Sequence, residues 1–297
     1  MMKRPLFVLV LFALFVAHTW TAWTGEPVMF CAAGDIMLAR GCGTMIRRHG
    51  MNYPFAEVNS FIGLHDIACA NLESPLSSRG RAVANPITFR ADSSFVEVLK
   101  RSGFGVFSLA NNHILDYGPI ALLDTRRILH EHGFSSVGAG KTSQEAHEPL
   151  IIEKRGTRAA FLAYVDVYGF GPIKAQDRPV PAFLDSAGVR KGILRARPLA
   201  DIVLVSVHWG TEYVDRPTER QTAFAHLMID AGADIVLGHH PHVIQSIEKY
   251  KGKYILYSLG NFVFDQHHLP ERESMIFSCV FKDGRVVSPR IVPTYLP

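Results

Sequence analysis

Five short apolar segments of this chain are each followed by a side chain of a type that binds metal ions. The segments are rich in valine, isoleucine, leucine and alanine, as buried β-strands are, and stretches with helical periodicity lie between several of them. Strands that alternate with helices predict parallel βαβ units and therefore an α/β fold. The side chains that follow the five segments are Asp35, Asn71 with Glu73, Asn112 with His113, His208, and His240 with His242.

The carboxyl ends of parallel strands lie along one edge of a sheet, where open α/β folds bind their ligands. We therefore expect these carboxylates, imidazoles and amides to form one cluster, which suits divalent Mn, Fe or Zn. Taken singly, a histidine after a strand is more often a hydrogen-bonded structural residue, and asparagine or aspartate there is more often a turn former or a helix cap. The proline between His240 and His242 lets two imidazoles point into the same site.

The remaining elements predict one domain over residues 25–297. Helical patterns end at glycine or follow proline in the usual way, and they cover residues 93–101, 119–132 and 218–231. Strand-like segments without long helices between them predict a second, mixed sheet from residues 150–153, 158–165, 243–250, 253–259, 274–281 and 286–292. Asp283 and Gly284 resemble a hairpin turn, and the segment 167–186, rich in proline and glycine, predicts a long loop near the pocket.

The N-terminal residues 1–24 have the pattern of an export signal. Lys3 and Arg4 precede an unbroken apolar run over residues 6–17. No clean cleavage site follows, so an uncleaved membrane anchor with Trp20 and Trp23 at the interface is the alternative. A buried first helix is a third interpretation that fits the flanking charges less well. We expect an exported domain that is membrane-anchored, or secreted if the segment is cleaved.

Composition excludes several classes of protein. The net charge is +4 and no run of five basic residues occurs, so nucleic acid is not an expected partner. The four cysteines form no C-x-x-C pair, which argues against a zinc knuckle or a redox dithiol. Cys31 and Cys69 lie in apolar segments and are expected to be small buried thiols rather than a disulfide.

Nine ordered motifs within residues 28–265 resemble those of the CapA family, which is known for poly-γ-glutamate capsule synthesis. The motifs are GDIM at 34–37, NLESPL at 71–76, LANNH at 109–113, DYG at 116–118, GAG at 138–140, HWGTEY at 208–213, GAD at 232–234, GHHPHV at 238–243 and SLGNF at 258–262. The resemblance covers nearly the whole predicted domain.

The CapA family in turn resembles the calcineurin-like metallophosphoesterases, whose fold is a two-sheet sandwich flanked by helices. That resemblance implies one or two divalent ions. It makes Asp35, Asn112 and His208 metal ligands, and it assigns His240 and His242 to one metal each.

The same resemblance makes His113 the histidine that protonates the leaving group or steadies phosphoryl oxygens. Two motifs depart from the phosphoesterase pattern. The usual D-x-H has Met37 in place of its histidine, and the usual G-D has Asn71 in place of its bridging aspartate. Glu73 is the candidate for the bridging carboxylate instead. These departures leave open whether the site holds one metal or two.

Other residues have candidate roles around the same site. Asp116 is expected to orient His113, and Glu212 is a candidate general base or ligand support, with an exposed loop acid as the alternative. Arg90 is a candidate for binding an anionic substrate, although a solvated surface arginine is the commoner outcome. Asn71 and Asn261 are further candidates for substrate binding.

Two functions are consistent with these observations. The first is metal-dependent hydrolysis or group transfer at the outer face of the membrane, on an anionic polymer or a phosphorylated or γ-glutamyl substrate. The second is a non-catalytic subunit of a polymer-synthesis or export complex, with capsule-synthesis membrane proteins as partners. The departures at Met37 and Asn71 favour the second, and the number of ligand-type residues favours the first.

Overall fold

The structure, a computed structural model, describes residues 26–167 and 178–296. Its strands are β1 (Val28–Ile36), β2 (Ile67–Leu72), β3 (Val106–Ser108), β4 (Ser135–Val137), β5 (Ala139–Gly140), β6 (Leu150–Lys154), β7 (Thr157–Val165), β8 (Val180–Pro181), β9 (Ile202–His208), β10 (Ile235–His239), β11 (Ile247–Tyr250), β12 (Lys253–Leu256), β13 (Asn261–Val263), β14 (Glu273–Lys282) and β15 (Arg285–Tyr295). The helices are α1 (Arg40–His49), α2 (Asn59–Ile62), α3 (Val96–Lys100), α4 (Gly118–Glu131), α5 (Ser143–Ala146), α6 (Ser186–Ala196), α7 (Glu219–Ala231) and α8 (Leu269–Arg272).

Two large mixed sheets pack face to face. The first has the order β15-β14-β1-β2-β3-β4, with β13 also paired to β1, and the second has the order β11-β12-β10-β9-β7-β6. Side chains from both sheets fill the space between them: Phe30 of β1 lies against Phe161 of β7, with ring centroids 6.3 Å apart. The alternation of side chains along a strand sends Cys31 to the opposite face of the first sheet, into a second core.

Helices cover the outer face of each sheet. The α1 to α4 helices pack on the first sheet through residues such as Ile46 and Leu122. The α6 and α7 helices pack on the second sheet through residues such as Ile193 and Met228. The layers therefore follow the order helix, sheet, sheet, helix, and the predicted two-sheet α/β sandwich flanked by helices is confirmed.

The predicted assignment of strands to sheets was wrong in two respects. The five strands with ligand-type residues do not share one sheet, because β1, β2 and β3 belong to the first and β9 and β10 to the second. The hairpin of β14 and β15 joins the first sheet, where it pairs antiparallel with β1. Hydropathy shows that a strand is buried but does not name its neighbour, so the pairing depends on tertiary packing.

The helices agree more closely with the sequence. The α4 and α7 helices occupy the second and third predicted segments almost residue for residue. Thr218 and Gln221 form a capping box at the start of α7, and Gly232 ends it with φ of 117°. The first segment is shorter than predicted, because residues 93–95 form a 3₁₀ turn before α3.

Two expectations concern residues outside the described ranges. The export signal or anchor at 1–24 is one of them. The other is part of the predicted loop at 167–186, since residues 168–177 are not described. The described part of that segment contains β8 and the start of α6. All four cysteines are free, and Cys31 and Cys69 are buried.

Within the two described ranges, no helix combines the length and the apolar character needed to cross a bilayer.

One segment, residues 257–260, joins the two sheets at the edge where the ligand-type residues lie. It approaches the backbone of Gly34 and Gly238 so closely that a Cβ at either glycine would lie 1.9 Å from a carbonyl oxygen. Asp35 N donates to the carbonyl of Gly260 at 3.0 Å, and Leu259 N donates to that of Gly238 at 3.1 Å. The glycine before each site strand end therefore allows the two strand ends to meet.

Candidate metal centre

The site lies where the carboxyl ends of strands from both sheets converge. In the first sheet Asp35 of β1 is paired in register with Asn71 of β2. In the second sheet His208 of β9 is paired with His239 of β10. All four residues are buried, so two strand edges bring their polar ends to a common, largely dry place.

Asn71 lies at the centre of this convergence. Its Nδ2 donates to Asp35 Oδ1 at 2.9 Å and lies 3.3 Å from His208 Nδ1 and 3.4 Å from Glu73 Oε2. Its Oδ1 accepts from Asn111 at 3.1 Å. Asn71 was predicted to bind substrate, but the structure places it fully buried among the ligand-type residues, where it fixes their positions.

Glu73 has the least satisfied carboxylate of the site. Its Oε1 is buried without a hydrogen-bond partner, and it faces three imidazole nitrogens: His242 Nε2 at 3.7 Å, His208 Nε2 at 3.8 Å and His113 Nε2 at 3.9 Å. Burial, together with the neighbouring carboxylates of Asp35 and Glu212, raises the pKa of Glu73 well above its usual value. A cation between Glu73 and these histidines would offset that desolvation.

Three sets of side chains have ligand atoms that all lie within 4.8 Å of one another. They are Glu73 with His208 and His240, Asp35 with Glu73 and His242, and Glu212 with His240 and His242. Glu73 belongs to the first two sets, and Asn112 Oδ1 lies 2.8 Å from His208 Nε2. These residues fit a divalent ion, because two buried atoms that belong to members of the sets, Glu73 Oε1 and His240 Nδ1, have no hydrogen-bond partner.

Two imidazoles of the site, those of His208 and His240, are held in their neutral form. Burial and the neighbouring histidines lower the pKa of His208 well below its usual value, and burial with His242 lowers the pKa of His240 to about 3. Neutral imidazole is the form that binds metals. His240 and His242 have φ of 95° and 58°, so the backbone adopts an unfavourable conformation to turn both rings inward.

Asp35 is ionised in the same surroundings. Burial by itself would raise its pKa, but the hydrogen bond and charge of His239 and the charge of His242 outweigh burial and hold the pKa below its usual value. His239 Nδ1 lies 3.1 Å from Asp35 Oδ1. Sequence reasoning missed His239, although its place directly after an apolar strand and beside His240 was a visible signal.

His113 and Asp116 form a pair beside this cluster. The Nδ1–H of His113 donates to Asp116 Oδ2 at 2.6 Å, and the same oxygen accepts from Phe89 N at 2.7 Å. Asp116 is fully buried. The pair fixes the imidazole with Nδ1 toward Asp116 and Nε2 toward Glu73.

Asn261, a predicted substrate-binding residue, lies behind His242 instead. Its Oδ1 accepts from His242 Nδ1 at 2.8 Å, and its Nδ2 donates to the carbonyls of His242 at 3.2 Å and Glu271 at 3.0 Å. Asn261 is fully buried. It leaves the Nε2 lone pair of His242 directed at Glu73, as residues behind metal ligands commonly do.

Three further residues are placed as follows. Glu212 is exposed, yet its carboxylate lies within reach of His240 and His242. Arg90 is on the loop before α3, where it stacks over the Tyr117 ring at 4.0 Å and donates to loop carbonyls. Met37 is buried in a small apolar cluster with Phe89 and Phe264 that borders the site.

Comparison with known proteins shows the family of the chain. The sequence profile of a family described as "Bacterial capsule synthesis protein PGA_cap" matches residues 29–266. The chain belongs to this family.

Two curated relatives illustrate the relation of this PGA_cap protein to others. The "Capsule biosynthesis protein CapA" of Bacillus anthracis is 33% identical over 313 residues, which cover 98% of this chain and 76% of the relative. The "PGA biosynthesis protein CapA" of Bacillus subtilis is 33% identical over 279 residues, which cover 90% and 73%. The resemblance to the CapA family is thereby confirmed.

Solved structures support the fold. The NAD nucleotidase of Haemophilus influenzae aligns with a TM-score of 0.58 and 11% identity over 92% of this PGA_cap chain and 51% of the other. A 5'-nucleotidase precursor from Thermus thermophilus aligns with a TM-score of 0.54 and 13% identity, over 91% and 55%. At such identities the likeness concerns the fold, and the expected metallophosphoesterase-like architecture is confirmed.

Proposed function

We propose that this protein is a divalent-metal-dependent hydrolase that acts on the γ-glutamyl polymer during capsule synthesis or export. The observation that carries the proposal is Glu73 Oε1, a buried carboxylate oxygen without a partner. Glu73 belongs to two ligand sets, and the Nε2 of His113 lies 3.9 Å from Oε1. Ligand-type residues and a candidate proton donor thus meet in one pocket.

The two ligand sets would hold one ion each. Asp35, Glu73 and His242 form the first set, and Glu73, His208 and His240 with Asn112 form the second. Divalent ions there would polarise the substrate's carbonyl or phosphoryl oxygen and lower the pKa of water. Because Met37 replaces the histidine of the D-x-H motif, the first set has one ligand fewer than the second.

The chain's own residues would supply the proton transfers. Asp116 holds the Nδ1–H of His113, so Nε2 is the nitrogen that donates a proton to the leaving group. Glu212, exposed beside His240 and His242, is the candidate acceptor for the proton of the attacking water. In hydrolysis of a γ-glutamyl amide, water adds its oxygen to the γ-carbonyl carbon, the C–N bond breaks, and the nitrogen leaves with the proton of His113.

The substrate class and the location rest on the relatives. Their names refer to capsule and PGA biosynthesis, and the motifs resemble those of a family known for poly-γ-glutamate. The polymer or a γ-glutamyl precursor is accordingly the proposed substrate. Residues 1–24 would export the domain and hold it at the membrane beside capsule-synthesis membrane proteins, which are the proposed partners.

A non-catalytic role is the second candidate, and the Met37 substitution favours it because it removes a ligand from the first set. Two Mycobacterium tuberculosis relatives carry the name "Probable polyglutamine synthesis accessory protein", and each is 34% identical over 221 residues, which cover 70% of this chain and 58% of the relative. In this role the pocket would bind the polymer or stabilise the fold without breaking a bond.

The two candidate functions predict different effects of the substitution His113→Gln on hydrolysis and on capsule formation. His113 belongs to neither proposed ligand set, so the variant should keep its metal content. As a hydrolase, the variant should lose about 10²- to 10⁴-fold in the rate of cleavage of γ-glutamyl oligomers, since general acid catalysis contributes that much. It should also fail to restore capsule to a deletion strain. Full hydrolysis by the variant would refute the proposed mechanism, and full capsule without any hydrolysis would favour the accessory role.

A further inference from the structure

Arg40 has a backbone conformation that calls for an explanation. Its φ is 48°, in the left-handed region, which side chains other than glycine and asparagine rarely adopt. Eight non-glycine residues in the described part of the chain have positive φ, and Tyr213, His240 and His242 at the site are among them. Unfavourable backbone conformations of this kind concentrate at functional sites.

The guanidinium of Arg40 is held in one orientation. Its Nε donates to Asp265 Oδ2 at 3.1 Å, and one Nη donates to Asp265 Oδ1 at 2.8 Å. Asp265 also accepts from Gly41 N at 2.9 Å, which fixes the carboxylate against the start of α1. Asp265 uses two of the five N–H groups of Arg40 and leaves three for another acceptor. The Arg40 side chain is 44% exposed, so that acceptor can arrive from solvent.

The ring of Phe89 contacts both Arg40 and the candidate proton donor, His113. Its guanidinium carbon is 5.2 Å from the centre of the Phe89 ring, and the Phe89 ring is 3.9 Å from the His113 ring. Phe89 also meets Phe264 edge-on at 5.9 Å, and Phe264 lies 4.8 Å from the His242 ring. Two buried aromatic rings therefore connect Arg40 to the rim of the metal centre.

The rim on this side is basic. Between residues 77 and 91 the loop contains three arginines and no acidic residue. Arg79 is engaged by Asp124, and Arg90 by Tyr117 and loop carbonyls. The third arginine of the loop, Arg81, is exposed. Arg40 combines a fixed orientation with N–H groups left for a ligand, and it favours a substrate with negative charge near the reacting bond.

We propose that Arg40 binds the α-carboxylate of the γ-glutamyl residue that leaves, and that Asp265 positions it for this role. The inference rests on the proposed function for its substrate. In a γ-linked polymer the amide nitrogen is attached to a Cα that also carries a free carboxylate. The carboxylate carbon is therefore two bonds, about 2.5 Å, from the leaving nitrogen.

The spacing of Arg40 and His113 suits that substrate. A leaving nitrogen within about 3 Å of His113 Nε2 would place its carboxylate about 2.5 Å further on. A bidentate pair then separates the carboxylate and guanidinium carbons by about 4 Å. The two steps through the Phe89 ring, 3.9 Å and 5.2 Å, place the guanidinium carbon of Arg40 at most about 9 Å from the centre of the His113 ring, a distance that a leaving residue of this length can span.

The experiment compares two substrates in the full-length protein loaded with metal. One is a γ-glutamyl dipeptide whose leaving residue carries the α-carboxylate, and the other is the same compound with that carboxylate converted to an amide. Wild type should prefer the carboxylate form by about tenfold to a hundredfold in kcat/KM, as expected for a charge-assisted bidentate contact. Arg40→Gln should abolish the preference, and Arg40→Lys should restore part of it.

A structural role for the Arg40–Asp265 pair predicts something else. In Arg40→Gln, kcat/KM would then fall by the same factor for both substrates. The preference for the carboxylate form would survive, and that result would overturn the proposal. Arg48→Gln, at an exposed position on the same helix, is the matched control and should keep the wild-type preference. Thermal unfolding of each variant checks that it folds.

Binding separates this inference from the proposed hydrolysis. Calorimetry would use a tri-γ-glutamate analogue that the protein cannot cleave. Its affinity should be about tenfold to a hundredfold weaker for Arg40→Gln than for wild type. If wild type cleaves neither substrate but binding depends on Arg40, the hydrolase proposal fails and the subsite stands. Equal affinity in both proteins, or no binding to wild type, overturns the subsite.

Discussion

Replacing Asp116 by asparagine tests how His113 works. The substitution keeps the shape of the side chain but removes its charge. In the native protein one oxygen, Asp116 Oδ2, accepts from both His113 Nδ1 at 2.6 Å and Phe89 N at 2.7 Å. The asparagine carbonyl can occupy that place and keep both hydrogen bonds, so the fold and the metal ligands should be unaffected.

The hydrogen bond that holds the His113 ring should become weaker. A hydrogen bond to a charged partner contributes about 1.5–3 kcal/mol, against about 0.5–1.5 kcal/mol for a neutral pair. The loss of about 1–1.5 kcal/mol corresponds to about tenfold in rate. If the amide turns and presents its NH₂ to His113, the tautomer changes, Nε2 becomes the protonated nitrogen of a neutral ring, and the loss approaches the full 10²- to 10⁴-fold of general acid catalysis.

The assay is the rate constant kcat on two γ-glutamyl substrates that differ in their leaving group, with metal content measured in parallel. An alkylamine leaving group needs a proton, whereas p-nitrophenolate from the corresponding ester does not. Asp116→Asn should lower kcat for hydrolysis of the amide by at least tenfold and kcat for hydrolysis of the ester much less. Equal rates for wild type and variant on the amide, with metal retained, would refute the role assigned to Asp116 and His113.

Three other predictions follow from contacts around the site and beneath it. Asn261→Ala removes the acceptor of the His242 Nδ1–H, so metal affinity should fall about 10- to 100-fold in competition with a chelator; unchanged affinity would contradict this role. Because the pKa of His240 in the folded protein is about 3, below its usual 6.5, the unfolded chain binds the extra proton between these values, and metal-free protein should lose stability as pH falls below 6.5. His240→Gln should flatten that slope by up to about 1.4 kcal/mol per pH unit, measured by urea unfolding at several pH values. Asp234→Ala should destabilise the protein by about 2–3 kcal/mol in the same assay, because the carboxylate accepts from the buried Val203 N at 2.8 Å and joins two partly exposed cations.

The sequence predicted the strand ends and three of the helices, α3, α4 and α7, because these depend on local patterns. An apolar segment that ends in a polar residue can be read directly from the sequence. The residues that cap α7 lie next to the helix in the sequence and can be read in the same way. The placement of residues behind the ligands was not predictable in this way. Asn261 supports His242 from another strand, and Asp265 holds Arg40 from 225 positions away. Such contacts exist only once the segment from 257 to 266 has crossed between the sheets.

For a related reason, the sequence did not predict which strands belong to which sheet. The β1 strand is buried on nearly its whole length, and either β2 or β14 could satisfy its edge from hydropathy alone. The structure uses both, one parallel and one antiparallel. Because the ends of β1 and β10 still meet through the close approach at Gly34 and Gly238, the predicted cluster of ligands forms even though its strands belong to two sheets.

The number of bound ions tests the central claim most directly. Metal-free full-length protein would be equilibrated with Mn²⁺, Fe²⁺ or Zn²⁺ and analysed by elemental mass spectrometry, alongside Asp35→Ala, His208→Ala and Glu73→Gln. Because Glu73 belongs to both ligand sets, wild type should bind up to two ions. Asp35→Ala and His208→Ala should each weaken one site, and Glu73→Gln should weaken both. A wild type that binds no ion, or a Glu73→Gln variant with undiminished affinity for both, would contradict the account.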